Sequence, residues 1–520
     1  MHAIELIVGL LLASTVLAAL ARAIRVHYAI VLVVGGLVVG LVSGTSAPRV
    51  DPQIVLLVFL PPLIYAAAFG SSTQDLRASA GEIALLSVGL VLMTVSGVAA
   101  VAHIVAHIGW GPAIVLGAIL APTDPIAATS VLRRLAAPAR ISTILEGEAL
   151  INDGTGLTAY QLAIAAVVSG QFTLGHGVVR FLIVSAGGVG VGLAAGWLSV
   201  EVRKRIDEPQ IEISVSLLTA YLAYLPADRL GFSGVLAAVA AGLYAGGRTG
   251  LMFSPTSRLR TLGFWEALTF ILESILFLLI GLQLPHITRH LHVEQPLEYS
   301  AAVVATLIAL RMAWMFSVPV VVGLVRRRRV SHAQAFAERT VLGWSAMRGG
   351  VSLAAALAIP LTAGGHPFPD RSQLVFISYI AIAATLVVPG LTLSGMVRRL
   401  GLGQGEALEQ QEMRARIALA HAALRHLDEL AENGDLRDSV AEPLRTQLEQ
   451  RILRLEPDAE SDDGGDDDRV RNARRIRELR RDLIKVERAR LGQLRRKGEI
   501  SAGSMRRLEH ELDLEESRLG

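Results

Sequence analysis

Asp124 lies in the middle of an apolar stretch, residues 112–134, in the run Ala121-Pro122-Thr123-Asp124-Pro125. Each proline lacks a backbone N–H and cannot continue a regular helix. An acid at such a break, among half-helix ends and loose carbonyls, has the pattern of an ion site in a secondary transporter. The alternative is that Asp124 caps the second half-helix, and a capping acid still has an oxygen to offer an ion. In the next apolar stretch, 139–167, Asn152 and Asp153 lie well inside, after Glu146 and Glu148. Desolvation disfavours the charged form of a carboxyl group. An unpaired acid at that depth can hold a proton or a cation, and a group that holds either one couples the two. A hydrogen-bonded Asn–Asp pair that serves structure alone is the alternative.

Arg348 falls in the stretch 336–360. A buried guanidinium cannot neutralise itself and needs a carboxylate. Glu148, five residues before Asp153, is the expected partner, with Asp153 a poorer one; a Glu148–Arg348 pair would leave Asp153 free. Glu266 and Glu273 are seven apart and share one face of the stretch 261–284. They are accessory candidates, with lining or interface roles as the alternative, and Arg311 is expected to partner one of them. His103 and His107 have metal-pair spacing but no third ligand, so they read as interfacial, as do His286, His290 and His292. Gly231-Phe-Ser233-Gly234 matches the GxSG nucleophile pattern of rhomboid intramembrane proteases. That chemistry needs a histidine base in a later span. His332 and His366 fall in loops, so these glycines read as helix packing.

The elements that must hold these residues are membrane helices. Of 520 residues, 52% are apolar and only 18% charged, which excludes a disordered chain and argues against a soluble enzyme. Charge is unevenly spread: 45 of the first 402 residues carry one, against 50 of the last 118. This divides the chain into a transmembrane domain, 1–402, and a charged helical tail, 403–520. A bilayer core needs about 20 apolar residues as a helix. Thirteen stretches qualify: 4–22, 28–44, 52–69, 82–107, 112–134, 139–167, 177–200, 209–225, 231–247, 261–284, 298–325, 336–360 and 372–397. With the N-terminus outside, 18 Lys and Arg fall on inner loops and 5 on outer ones, which places the tail in the cytoplasm. The start, Met1-His-Ala-Ile-Glu5, lacks a basic region and reads as a first membrane helix. Helical spacing recurs in the tail over 406–431, 435–455, 469–497 and 499–517, around an acidic linker, 456–468. The basic run that follows the linker can touch the linker itself or anionic lipid. The chain has no cysteine, so disulfides, thiol catalysis and Cys-ligated metals are excluded. It has no GxxxxGK[ST] motif either, so an ion gradient is the expected energy source.

Five stretches, taken in order, resemble the Na+/H+ exchanger family of monovalent cation:proton antiporters, of the NhaP/NHE type. They are Phe59-Leu-Pro-Pro-Leu-Ile-Tyr65, Pro122-Thr-Asp-Pro125, Glu148-Ala-Leu-Ile-Asn-Asp-Gly154, Glu273-Ser-Ile-Leu-Phe-Leu-Leu-Ile-Gly281 and Met347-Arg-Gly-Gly-Val-Ser352. The ending Arg507-Leu-Glu-His-Glu-Leu-Asp-Leu514 is similar to that of bacterial members. The resemblance implies an all-α membrane protein of about 13 transmembrane helices, with inverted repeats and broken, crossing helices. It further implies a homodimer in which an ion-binding bundle moves against a dimerisation bundle. Asp153 would bind the cation and the proton, Thr123 and Asp124 would line the site, and Glu148 and Arg348 would form a structural ion pair. Asn152, where electrogenic relatives carry a second Asp, implies electroneutral one-for-one exchange. Two departures touch the ion's coordination: Ala149 stands where the family often has Ser, and the chain is apolar near Ala66, where many members have an acid.

The expected protein is a secondary antiporter of a bacterial plasma membrane that exchanges Na+ or Li+ for H+. No cofactor, metal beyond the transported cation, or nucleic acid is expected. Its expected partners are a second copy, the lipid bilayer, and a cytosolic regulator or tail–tail contact. The rivals are a K+/H+ antiporter of the same fold and a tail-gated cation channel.

Overall fold

The computed structural model describes residues 2–24, 28–42, 52–170, 174–206, 208–252, 255–288, 294–323, 332–403, 405–433 and 438–455, together with 486, 487, 490 and 493. The acidic linker 456–468 and the stretch 499–517 lie outside these residues, as do Arg25, Arg49, Arg289, Arg326 to Arg329, His290 and His292. The chain forms two compact units, Met1–Leu408 and Glu409–Gly520.

The first unit is helical. It begins with α1 (His2–Ala23), α2 (Tyr28–Val42), α3 (Pro52–Gly70) and the short α4 (Thr73–Ala78). Next, α5 (Ala80–Ala84) runs through a π-helical turn, Leu85–Leu90, into α6 (Val91–Ala106). Two half-helices follow, α7 (Trp110–Leu120) and α8 (Ile126–Arg134). After them come α9 (Ala139–Ser169), α10 (Leu174–Arg203), α11 (Pro209–Arg229), α12 (Gly234–Met252), α13 (Pro255–Thr288) and α14 (Glu294–Gly323). A second pair of half-helices is α15 (His332–Trp344) and α16 (Gly350–Leu357). A small hairpin of β1 (Thr362–Ala363) and β2 (His366–Pro367) precedes α17 (Arg371–Arg399). His366 is therefore on a strand, and His332 opens α15 rather than lying in a loop.

Each of the 13 apolar stretches falls on a helix or on a pair of half-helices. Five helices among the described residues are long and apolar enough on their own to cross a membrane: Ala80–Ala106, Gly177–Arg203, Ser257–Leu279, Pro296–Ser317 and Arg371–Arg399. The others are shorter, broken, or interrupted by polar residues. Pro61 and Pro62 lie inside α3, Pro226 inside α11 and Pro389 inside α17. Each removes a backbone donor, which is tolerable in such helices where neighbours close around the break. The helices pack through small residues. At the α2–α13 crossing, Gly36 lies against the carbonyl of Leu278, and Gly281 lies against that of Val33. A Cβ on either glycine would collide with backbone, so the approach requires glycine on both sides.

The second unit includes most of α18 (Gly405–Glu432) and α19 (Asp438–Leu455). Arg445 of α19 donates to Asp428 Oδ1 of α18 through Nη2 at 2.6 Å and Nε at 3.1 Å. Ala420, Leu427, Ala441 and Ile452 are its buried apolar residues. These two helices match the stretches 406–431 and 435–455. Of 469–497 only four positions are described, Val486, Glu487, Arg490 and Gln493, and all four are helical.

The α2–α13 crossing yields a stability prediction. Gly281→Val overpacks backbone against backbone and should cost about 1–3 kcal/mol, seen as a lower unfolding temperature in detergent. Gly9→Ala, whose added methyl meets nothing within 4 Å, should leave that temperature unchanged.

Candidate functional site

The site is built where the two broken helices meet. The α7–α8 interruption and the α15–α16 interruption run antiparallel past each other, and the Asp124 N–H donates to the Met347 carbonyl at 2.7 Å. Pro122 and Pro125 interrupt one helix, and Gly349 and Gly350 open the other. Each break leaves carbonyls at a helix C-terminus without helical partners. Two buried arginines take them. Arg348 donates from Nε to Leu120 O at 2.9 Å, at the end of α7, and from Nη1 to Ala346 O at 3.1 Å. Arg311, on α14, donates to Leu342 O from Nε at 3.3 Å and from Nη2 at 3.1 Å. At the opposite pole, Asp124 Oδ1 accepts from the Ile126 N–H at 2.9 Å, where α8 begins. A negative group at a helix N-terminus is favourable. Thus Asp124 does cap its half-helix and still has Oδ2 to offer. Gly349 passes so close to that oxygen that a Cβ would strike it.

The ion pair differs from the one expected. Glu148 is paired with Arg311, in a two-pronged contact of Nη1 with Oε1 and Nη2 with Oε2, the latter at 2.9 Å. It is not hydrogen-bonded to Arg348, whose guanidinium serves backbone carbonyls instead. Arg311 therefore partners neither Glu266 nor Glu273. The physical reason is that a helix end supplies acceptors as effectively as a carboxylate does, and the Met347-Arg348 turn lies beside the end of α7. Glu148 is further held by Thr123, whose Oγ1 donates to Oε1 at 3.2 Å. Asn152 Nδ2 donates in turn to Thr123 Oγ1 at 2.7 Å. Asn152 is wholly buried.

Beside this network is a cavity of about 620 Å³, lined by α2, α3, α8, α9, α13, α16 and the two breaks. Thr123, Asp124, Asp153, Glu266 and Glu273 all line it. Asn152, Glu148, Arg311 and Arg348 are not among its lining residues. At one end Arg133 and Glu146 pair at 2.6 Å, with the arginine side chain well exposed. Deeper in, no basic side chain lines the cavity among the described residues. No described residue gives the Asp153 carboxylate a hydrogen bond or an ion pair. Glu273 accepts from the Tyr28 hydroxyl at 2.6 Å through Oε2, and Tyr28 also packs on Phe270. Tyr28, Gly349 and the Ser352 hydroxyl belong to the site but were not legible as such. Tyr28 carried no motif; Gly349 and Ser352 stood in the Met347–Ser352 stretch with no role to mark them.

The weaker motifs resolve into structure. Ser233 Oγ accepts from Thr158 Oγ1 at 3.1 Å and from the Leu236 N–H at 3.3 Å, at the start of α12. His103 stacks on Trp110, with Nδ1 2.8 Å from Ile108 O. No group of three metal-ligating side chains occurs among the described residues.

Residues 10–399 match the family described as sodium/hydrogen exchanger, transmembrane. The chain belongs to the sodium/hydrogen exchanger family. An uncharacterized Na(+)/H(+) exchanger of Mycobacterium tuberculosis is 32% identical, over 99% of this chain and 95% of the relative. The Na(+)/H(+) antiporter ApNhaP of Aphanothece halophytica is 29% identical, over 82% of this chain and 81% of its own. Among solved structures, the sodium proton antiporter MjNhaP1 of Methanocaldococcus jannaschii superposes with a TM-score of 0.64. At 17% identity, over 78% of this chain and 99% of that one, it shows a shared fold. As a member of a cation/proton exchanger family, the protein is a membrane transporter.

The Glu148–Arg311 pair can be tested in the folded exchanger. Removing one partner of a buried pair costs about 3–5 kcal/mol. Arg311→Met alone should therefore lower the unfolding temperature and the folded yield sharply. Glu148→Leu with Arg311→Met should recover part of both, since no buried charge is then left alone.

Proposed function

We propose that this exchanger carries Na+ or Li+ against H+, one for one, at the single carboxylate of Asp153. The observation that carries the reading is that Asp153 faces a cavity whose lining includes several oxygen-bearing side chains, while no described residue gives its carboxylate a hydrogen bond or an ion pair. A hard cation wants oxygen ligands. Asp153, Asp124 and Thr123 present them on the wall formed by α9 and the first break. A cytoplasmic cation binds deprotonated Asp153, the domain reorients, the cation leaves outside, and a proton takes its place for the return. Alternating access keeps the two faces from opening together. The exposed Arg133–Glu146 pair also lines the cavity and marks its solvent side. With the N-terminus outside, that side faces the cytoplasm, which supports reading this as an inward-facing form.

Electroneutrality rests on Asn152. It stands beside Asp153 without a charge of its own, and its amide is committed to Thr123. The fold shared with MjNhaP1 supports reading all 13 apolar stretches as spans, in bundles related by an inverted repeat. The two crossing breaks are the counterparts expected of such a repeat. We further assign a homodimer, an elevator-like motion of the ion-binding bundle, residence in a bacterial plasma membrane, and a cytoplasmic tail. No cofactor enters the cycle.

The test uses protein in sealed vesicles with a pH-sensitive dye inside. A pH gradient is imposed, and Na+, Li+ or K+ is added with and without a voltage clamp. Cation-dependent proton movement that ignores the clamp, prefers Na+ or Li+, and disappears in Asp153→Asn is the expected result. A preference for K+ would make the protein a K+/H+ exchanger of the same fold. Retained exchange in a folded Asp153→Asn protein would overturn the site.

A further inference from the structure

The cavity has two walls of different character. One carries Asp124 and Asp153, on the first break and α9; the other is formed by α2, α3 and α13 and carries Glu273. Glu273 is no bystander to packing. One of its oxygens, Oε2, accepts the Tyr28 hydrogen bond at 2.6 Å, which fixes the carboxylate in place. One turn further along α13, Leu276 packs against Ala354 of α16 and lies beside Gly350, the first residue of that half-helix, bringing this wall against it. There Ser352 lines the same cavity with its hydroxyl buried and without a hydrogen-bond partner. A buried hydroxyl left unpaired is costly and marks a place where another group belongs. The charges point the same way. Asp124, Asp153 and Glu273 line the inner cavity, and no basic side chain lines it there among the described residues. One cation at Asp153 leaves the other two acids without a counter-charge in an apolar setting.

Resting on the reading of the protein as a cation/proton exchanger, we propose that Glu273, with the Ser352 hydroxyl, forms a second station for a monovalent cation in the cavity that Asp153 lines. The free oxygen of Glu273 and the hydroxyl of Ser352 are hard ligands of the kind such an ion takes. Tyr28 holds Glu273 ready without neutralising it. The ion waits at this station and passes to Asp153. It is not a second transported ion, because Glu273 belongs to the α2–α13 wall and not to the broken helix that carries Asp124.

Binding of radioactive sodium to the solubilised full chain at alkaline pH tests the station directly. In Asp153→Asn, binding should persist, weakened about tenfold, which corresponds to about 1.4 kcal/mol. It should vanish in Asp153→Asn with Glu273→Gln, return when Glu273 is replaced by Asp instead, and weaken when Ser352→Ala is added to Asp153→Asn. Unfolding temperatures confirm that each variant is folded; if the Gln variant is not, the Ser352→Ala series carries the same test. Wild-type binding with none in folded Asp153→Asn would overturn the second station and leave the proposed exchange standing. Equal binding with and without Glu273→Gln would overturn it as well. A wild-type chain that binds no cation would overturn the exchanger reading, and this inference with it.

Discussion

Two helices broken within an apolar interior leave backbone groups that no water can reach, and the rest of the molecule is arranged around them. The breaks answer each other first, through the Asp124–Met347 backbone bond. What remains is sorted by sign. Carbonyl ends at Leu120, Leu342 and Ala346 receive guanidinium groups from Arg348 and Arg311. The amide end at Ile126 receives a carboxylate oxygen from Asp124. Ionised side chains form shorter and stronger hydrogen bonds than neutral ones. They are therefore the efficient means of closing a break where hydration is absent.

That arrangement decides which acid is available for an ion. Glu148 is spent: it meets Arg311 with both oxygens and takes a hydrogen bond from Thr123, which is itself held by Asn152. Asp153, one residue beyond Asn152, points to the cavity instead and keeps its lone pairs. The chain Arg311–Glu148–Thr123–Asn152 thus fixes one face of α9 and leaves the adjacent face free. Buried side chains joined by hydrogen bonds in this way rigidify the wall they share, which suits a wall that must present one carboxylate in a constant orientation.

Much of this was legible in the sequence because membrane insertion makes polar residues conspicuous. Asp124, Asp153, Glu148, Arg311 and Arg348 each stood out against apolar neighbours, and the prolines around Asp124 marked the first break. The second break was less visible, since it carries the glycines Gly349 and Gly350 where the first carries prolines, and a glycine does not stop a helix as a proline does. The pairing was misassigned for a definite reason. Matching charges by sign alone gives Arg348 to Glu148, but backbone carbonyls at a broken helix compete for the same guanidinium, and no sequence pattern shows where two breaks will cross. Tyr28 was hidden by the same limit: its partner, Glu273, is 245 residues away.

The two kinds of acid now have a common logic. Those behind the cavity are bound to arginine and cannot respond to ions. Those lining its inner part have no arginine and must be answered by something that comes and goes. An inner cavity with carboxylates and no base cannot stay fully ionised and empty in an apolar surround, because desolvated charge without a partner is too costly. Protons and small cations are the only mobile partners that fit, and each excludes the other from a shared oxygen. On the proposed reading, competition between them is therefore a consequence of where the arginines are, since moving one guanidinium into the inner cavity would satisfy an acid permanently and end the exchange.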